Sequence, residues 1–337
     1  MYHSGDPYGI HYISGLCVRH YISGPCVRHY ISGLCNTYYS SDRCCMHYTG
    51  DRCSMHYIGS RCSVYNSSGL CKIYNSSDRC SMHYTGDRCS VYNSSCLSKM
   101  HYIGGLCRIY NSSGRCSMYY TGDRCSMHYN GSRCSVYHSS GLCRMHYIGG
   151  RCRIYNSSDR CSMHYTGDQC RVYHSSGRCR IYKGSSLCRM HYNGGLCRIY
   201  NSSGRCSMHY TGSRCSVYHS SGRCRIYKGS GLCRMHYHGG LCRINYSSSR
   251  CSMHYTGDRS SVYHSSSQCR IYNSSGLCRM HYNGGLCRIY NSSGRCSMHY
   301  TGGRYSMHYT GDRCSVYHSS GRCRIYKGSG LCRMHYH

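Results

Sequence analysis

The sequence predicts a low-complexity array of nine-residue repeats, largely disordered by composition and, where ordered, an all-β flattened β-solenoid with two nonapeptides per coil. Three observations lead there. Cys recurs at every ninth residue from one end of the chain to the other. Each nonapeptide alternates apolar and polar residues at period two. Each closes on a cluster of Gly, Ser and Asp. Alternation with β-branched and aromatic residues, bounded by turn formers, is the pattern of a strand followed by a turn.

The lattice is unbroken. From Cys17 a step of nine reaches Cys26, Cys35, Cys44 and so on to Cys332, with Ser98, Ser260 and Tyr305 standing at Cys positions and only Cys45 and Cys96 lying off them. With the Cys position as column one, the nonapeptide reads Cys, Arg/Ser, Met/Val/Ile, His/Tyr, Tyr/Asn/His, any residue, Gly/Ser, Gly/Ser/Asp, Leu/Arg. Residues 1–337 therefore form a single uninterrupted array with no separate domains. A longer period overlies it, since the five nonapeptides from Cys188 to Leu232 are followed at Cys233 by the same order. Folded repeat arrays need atypical capping units, and none is visible here.

Within the nonapeptide, columns one and three (Cys and Met/Val/Ile) fall on one face of the strand, and columns two and four (Arg/Ser and His/Tyr) on the other. Columns seven and eight supply the turn. Two nonapeptides per coil put residues 18 apart in register, one inter-strand spacing of about 4.8 Å away. Cys206 and Cys224 would then stack within disulfide range.

Composition points the other way. Phe, Trp, Ala and Glu are absent, Leu, Ile and Val are few, and 42 Lys and Arg face 10 acidic residues for a net charge of +32. Few large apolar residues with high net charge mark chains that do not offset the entropy of ordering. Column nine alternates Leu70, Leu106 and Leu196 with Arg61, Arg79 and Arg205. A buried column would not accept that exchange, because an unpaired buried charge costs several kcal/mol. The common exchanges in columns one, four and nine are single-nucleotide changes, so the variation is expected to follow DNA rather than packing.

The chemistry is sparse. Cys-x-x-His recurs, giving Cys53 with His56 and Cys80 with His83 as adventitious metal candidates, but no spacer of fixed length frames a dedicated site. No residue is singled out as a catalytic nucleophile or base, no phosphate or dinucleotide loop is present, and no cofactor is expected. Asn-Ser-Ser sequons recur at Asn66, Asn75, Asn93, Asn111, Asn156, Asn201, Asn273 and Asn291, with Asn130-Gly-Ser and Asn245-Tyr-Ser beside them. They read as repeat columns that fit the motif. The opening residues MYHSGDPYGIHYISGL have no basic n-region or apolar h-region, and no apolar run reaches 18 residues, so neither a secretory leader nor a membrane span is expected and localisation stays open. The 35 Cys invite self-association through disulfides in an oxidising compartment.

These features predict a protein without enzymatic activity. The first reading is translation of a minisatellite-like DNA repeat of 27 nucleotides, with no evolved biochemical function. The alternatives are a Cys/Tyr/Gly-rich structural protein cross-linked by disulfides, and a basic repeat protein binding soft metals or polyanions. In the latter, nucleic acid is a non-specific partner drawn by charge.

Overall fold

The computed structural model describes residues 2–3, 10–13, 15–22, 25–31, 33–229, 231–328 and 330–336. Strand accounts for 93% of the chain, and the fold is a parallel β-solenoid of about 17 turns, so each coil takes its inter-strand hydrogen bonds from the coils before and after it. Among the described residues no helix is long and apolar enough to cross a membrane. The chain divides into two compact halves, Met1–Asp168 and Gln169–His337.

In the first half the strand Leu34–Ser40 pairs in parallel with the run beginning at Arg43, Cys35 opposite Cys53 and Tyr39 opposite Tyr57. In the second, Arg304–Tyr309 lies between Leu286–Asn291 and Arg322–Lys327, and Arg295–Thr301 pairs with Arg313–His318, Cys296 opposite Cys314. The register is 18 throughout these pairs, so alternate nonapeptides stack on each other, two to a coil. Corners turn at column eight in the later coils. Gly285, Gly303 and Gly321 stack there with φ of 79°, 89° and 103°, a left-handed conformation that disfavours any side chain.

The interior of each half is built from columns one, three and five. In the first, Cys62, Val64, Asn66 and Ser68 are buried in succession while Tyr65 and Ser67 are exposed. In the second, Cys197, Ile199 and Asn201 are buried, and Ile199 is 0% exposed. Columns one and three thus face inward as expected. The compositional case for disorder weighed Leu, Ile and Val. The core is made instead of Cys, Met and Tyr, with Met46, Met55 and Met118 and Tyr48, Tyr57 and Tyr120 among the most completely buried side chains of the first half. The Leu/Arg column has a physical explanation too. Leu70, Leu106 and Leu196 are 36–38% exposed at the corners, where Arg61, Arg79 and Arg205 also lie in solvent. The exchange in that column costs little and is no argument against packing.

Buried polar groups in column five are tied to the coil. Tyr57 donates to the backbone carbonyl oxygens of Ser41 at 2.8 Å and Arg61 at 2.7 Å, and Tyr129 to those of Ser113 at 3.0 Å and Arg133 at 2.9 Å. Asn75, Asn93 and Asn111 form a ladder, Asn75 Nδ2 donating to Asn93 Oδ1 at 2.6 Å and Asn93 Nδ2 to Asn111 Oδ1 at 2.9 Å. Asn273 repeats this with Asn291 at 2.9 Å in the second half. Stacked Asn side chains of this kind reinforce in-register parallel strands.

Column five dictates column seven. From Cys44 onward every Tyr in column five is followed by Gly in column seven, except Tyr246, and every Asn by Ser. The reason is space. A Cβ on Gly86 would sit 1.7 Å from the Ser68 carbonyl oxygen and 2.6 Å from the Tyr84 hydroxyl. Gly86→Ala is therefore expected to destabilise the chain by about 1–3 kcal/mol. Converting the pair together, Tyr84→Asn with Gly86→Ser, copies Asn66 and Ser68 one coil below and should recover the part of the loss that comes from the Tyr84 hydroxyl, leaving the part set by the Ser68 carbonyl. Urea denaturation of the three chains checks this, and equal stability of the single and paired variants would contradict it.

Candidate functional site: basic aromatic outer faces and a buried thiol ladder

Even columns build the outer surface. In column four the rings of successive coils stack face to face. In the first half His20, Tyr38, His56 and Tyr74 form one row with centroids 4.6, 4.5 and 4.4 Å apart, and Tyr65, His83 and His101 belong to another at 5.0 and 4.7 Å. In the second half Tyr182, Tyr200, Tyr218 and His236 continue the pattern at 4.9 Å. Offset stacking at this spacing follows from the coil repeat and adds a favourable term per ring. It also occupies both ring faces, leaving only edges to solvent.

Arg lies alongside in column two and at the corner in column nine. In the second half Arg225 is in register with Arg243, Arg270 with Arg288, Arg295 with Arg313 and Arg304 with Arg322, all exposed. Asp258 and Asp312 are the only acidic side chains of that half. The result is repeated like charges one coil apart with almost no internal counter-charge. Outward His residues resist joining them. Burial and the charge of neighbouring His83 and Lys99 hold His101 below the usual imidazole range, and burial with His146 does the same to His128 and His164.

The sequence candidates for metal are not brought together. Cys53 and Cys80 point into the core, whereas His56 and His83 sit in the outer stacks, because positions three apart fall on opposite faces of a strand. The sequons divide by the same parity. Asn66, Asn75, Asn93, Asn111, Asn156, Asn201, Asn273 and Asn291 are buried in column five, while Asn130 is exposed.

Inside each half, the thiols stack in ladders, broken at Ser98 in the first half and at Ser260 and Tyr305 in the second. Among the described cysteines, only Cys45, Cys96, Cys323 and Cys332 are not buried. Burial pushes Cys188, Cys224 and Cys233 well above the usual thiol range; hydrogen bonding with a neighbouring rung adds to the shift at Cys188 and Cys233, while at Cys224 the bond with Cys206 opposes it. Such groups stay protonated at neutral pH while no metal is bound. Cys197 runs the other way. Burial opposes its ionisation, but hydrogen bonds from Cys179 and Cys215 hold it at about 6.

Comparisons of the chain with protein-family models, with curated proteins and with solved structures find no match. Its own geometry is then what assigns chemistry. Column five of one nonapeptide abuts the Cys that opens the next. Asn66 Nδ2 lies 2.9 Å from Cys71 Sγ, and Asn201 Nδ2 3.0 Å from Cys206 Sγ. At His219 and His264 an imidazole replaces the amide against the thiols, whereas His138 in the first half pairs with Asn156 Oδ1 at 3.1 Å. His219 and His264 are buried in this position, and burial lowers His219 to about 4, despite a backbone hydrogen bond at Asn201 that favours the charged ring. These inward histidines escaped the sequence reading, which weighed only the column-four His. Their column parity was the available signal.

Proposed function

We propose that the chain is a non-enzymatic scaffold that binds extended polyanions along its outer faces, without sequence preference. The observation that carries this is the in-register repetition of exposed Arg at 18-residue steps in a half with only two acidic side chains. Affinity comes from releasing counterions from the polymer. Base stacking contributes little, because each aromatic row already stacks on itself. Single-stranded DNA, duplex DNA and heparin should therefore compete for the same surface. With six to ten phosphates neutralised, affinity is expected to fall roughly 10³–10⁵-fold between 50 and 200 mM salt. Fluorescence anisotropy over a salt series measures this. A salt-independent affinity, or one confined to a single nucleotide sequence, would contradict the proposal.

The second reading, translation of a tandem DNA repeat with no evolved function, has the support of the unbroken lattice and its single-nucleotide exchanges. It makes a separate demand. The tryptic peptide from His29 to Arg43, HYISGLCNTYYSSDR, should be missing from reduced, alkylated extract of tissue that holds the transcript. Its detection would end that reading. For the third reading, cross-linking between chains, Cys96 is the exposed thiol in the described part of the array.

A further inference from the structure

We propose that the buried triads Cys206–His219–Cys224 and Cys251–His264–Cys269 in the second half are sites for monovalent copper. In each, one imidazole nitrogen and two Sγ atoms lie within 4.8 Å of one another, and all three residues are buried. Metal–sulfur and metal–nitrogen bonds of about 2.0–2.3 Å require donors about 4 Å apart in a trigonal plane, so a small inward movement closes the site. The donor set decides the ion. Thiolate with imidazole is soft, and soft ligands select Cu(I) or zinc. Structural zinc sites close with four protein ligands, whereas each triad offers three, which suits the lower coordination of Cu(I).

The triads follow the longer period of the sequence. They recur 45 residues apart, the length of the five-nonapeptide block, and each needs His in column five between two Cys one coil apart. The next inward histidine in that series of blocks shows the requirement by breaking it. At His318 the coil below carries Tyr305 in the Cys position, and the two rings meet edge to face at 6.2 Å instead. Binding exchanges protons for the ion. Each Cys Sγ gives up its proton to solvent and donates a lone pair, so Cu⁺ with two thiolates and a neutral imidazole leaves the site with one negative charge. At the first triad the buried Lys183 acts electrostatically on Cys206 and offsets that charge. At the second, the imidazole nitrogen of His264 and the Sγ atoms of Cys251 and Cys269 lie within the same 4.8 Å, so the donors already converge.

The test is anaerobic titration of the reduced full chain with Cu(I), followed by competition with a Cu(I) chelator and X-ray absorption at the copper edge. The native chain should retain copper with a mixed nitrogen and sulfur shell. His219→Asn with His264→Asn places in both sites the residue that Asn201 already supplies against Cys206, so the fold should survive. That variant should lose the nitrogen contribution of both sites and bind the corresponding copper roughly 10-fold or more weakly. If it fails to give the native strand signal by circular dichroism, Cys224→Ser with Cys269→Ser replaces it, since Ser98 and Ser260 occupy the same column naturally. Unchanged retention in the folded variant, or an all-sulfur shell in the native chain, would overturn the assignment and leave only non-specific thiol binding.

Discussion

Ile199→Arg is expected to unfold the coil that carries it, whereas Leu196→Arg, three residues away, should leave stability unchanged within about 0.5 kcal/mol. Ile199 is 0% exposed, with Ile181 and Val217 in the same column one coil to either side, buried at 2% and 1%. Arg there removes a packed side chain, worth about 2–5 kcal/mol, and buries a charge with no carboxylate in reach. Leu196 is 38% exposed at a corner, and Arg178 and Arg214 fill its column one coil away on either side. An Arg at 196 extends an existing solvent-exposed row. Urea midpoints of the two variants decide the matter. Similar losses would mean that column three is no better enclosed than column nine at the corner.

Acid is expected to destabilise the metal-free chain well before its carboxylates titrate. The imidazoles of His101, His128, His164, His191 and His281 are held below the ordinary range chiefly by burial, helped by His or basic neighbours. His219, deep in the core, is lowered to about 4. A group whose folded pKa is depressed binds fewer protons folded than unfolded as pH falls below about 6.5, so stability drops through that window. For His219 the loss begins near the unfolded value of about 6.5 and is complete below about 4, some 3 kcal/mol in all. The exposed stacks add to it with the same sign. Thermal melts in chelator from pH 8 to pH 4 should show the fall, and His219→Asn should flatten part of it. A stability independent of pH between 7 and 4 would count against both the stacks and the buried ring.

The fold was largely legible because the strand period and the nine-residue period are both visible in the letters. Alternation sorted columns one to four between the two faces, and a two-nonapeptide coil follows from requiring like residues to stack. What was hidden lies in columns five and seven. Tyr, Asn, His and Lys share column five, a set with no common polarity. Its inward direction emerges only when Tyr57 is seen capping a corner carbonyl, or Asn75 laddering onto Asn93. The same blind spot concealed the metal triads, since Cys-x-x-His attracts attention along the chain while Cys206, His219 and Cys224 meet only across coils. Compositional reasoning about disorder weighed aliphatic residues and passed over Cys, Met and Tyr as core formers. The polarity of column nine misled for a related reason, because exposure at a corner makes Leu and Arg nearly equivalent.

The central claim is that columns one, three and five are enclosed in an ordered solenoid, and site-resolved alkylation of the reduced protein tests it most directly. A brief pulse of iodoacetamide in native buffer, then a second isotope-labelled reagent in denaturant, assigns each thiol by peptide mass. Cys96, exposed in column eight, should take the first label, with Cys45, Cys323 and Cys332 following more slowly. Cys62, Cys107, Cys206 and Cys224 should take only the second. Labelling of Cys206 and Cys224 in the native pulse at the rate of Cys96 would contradict the account.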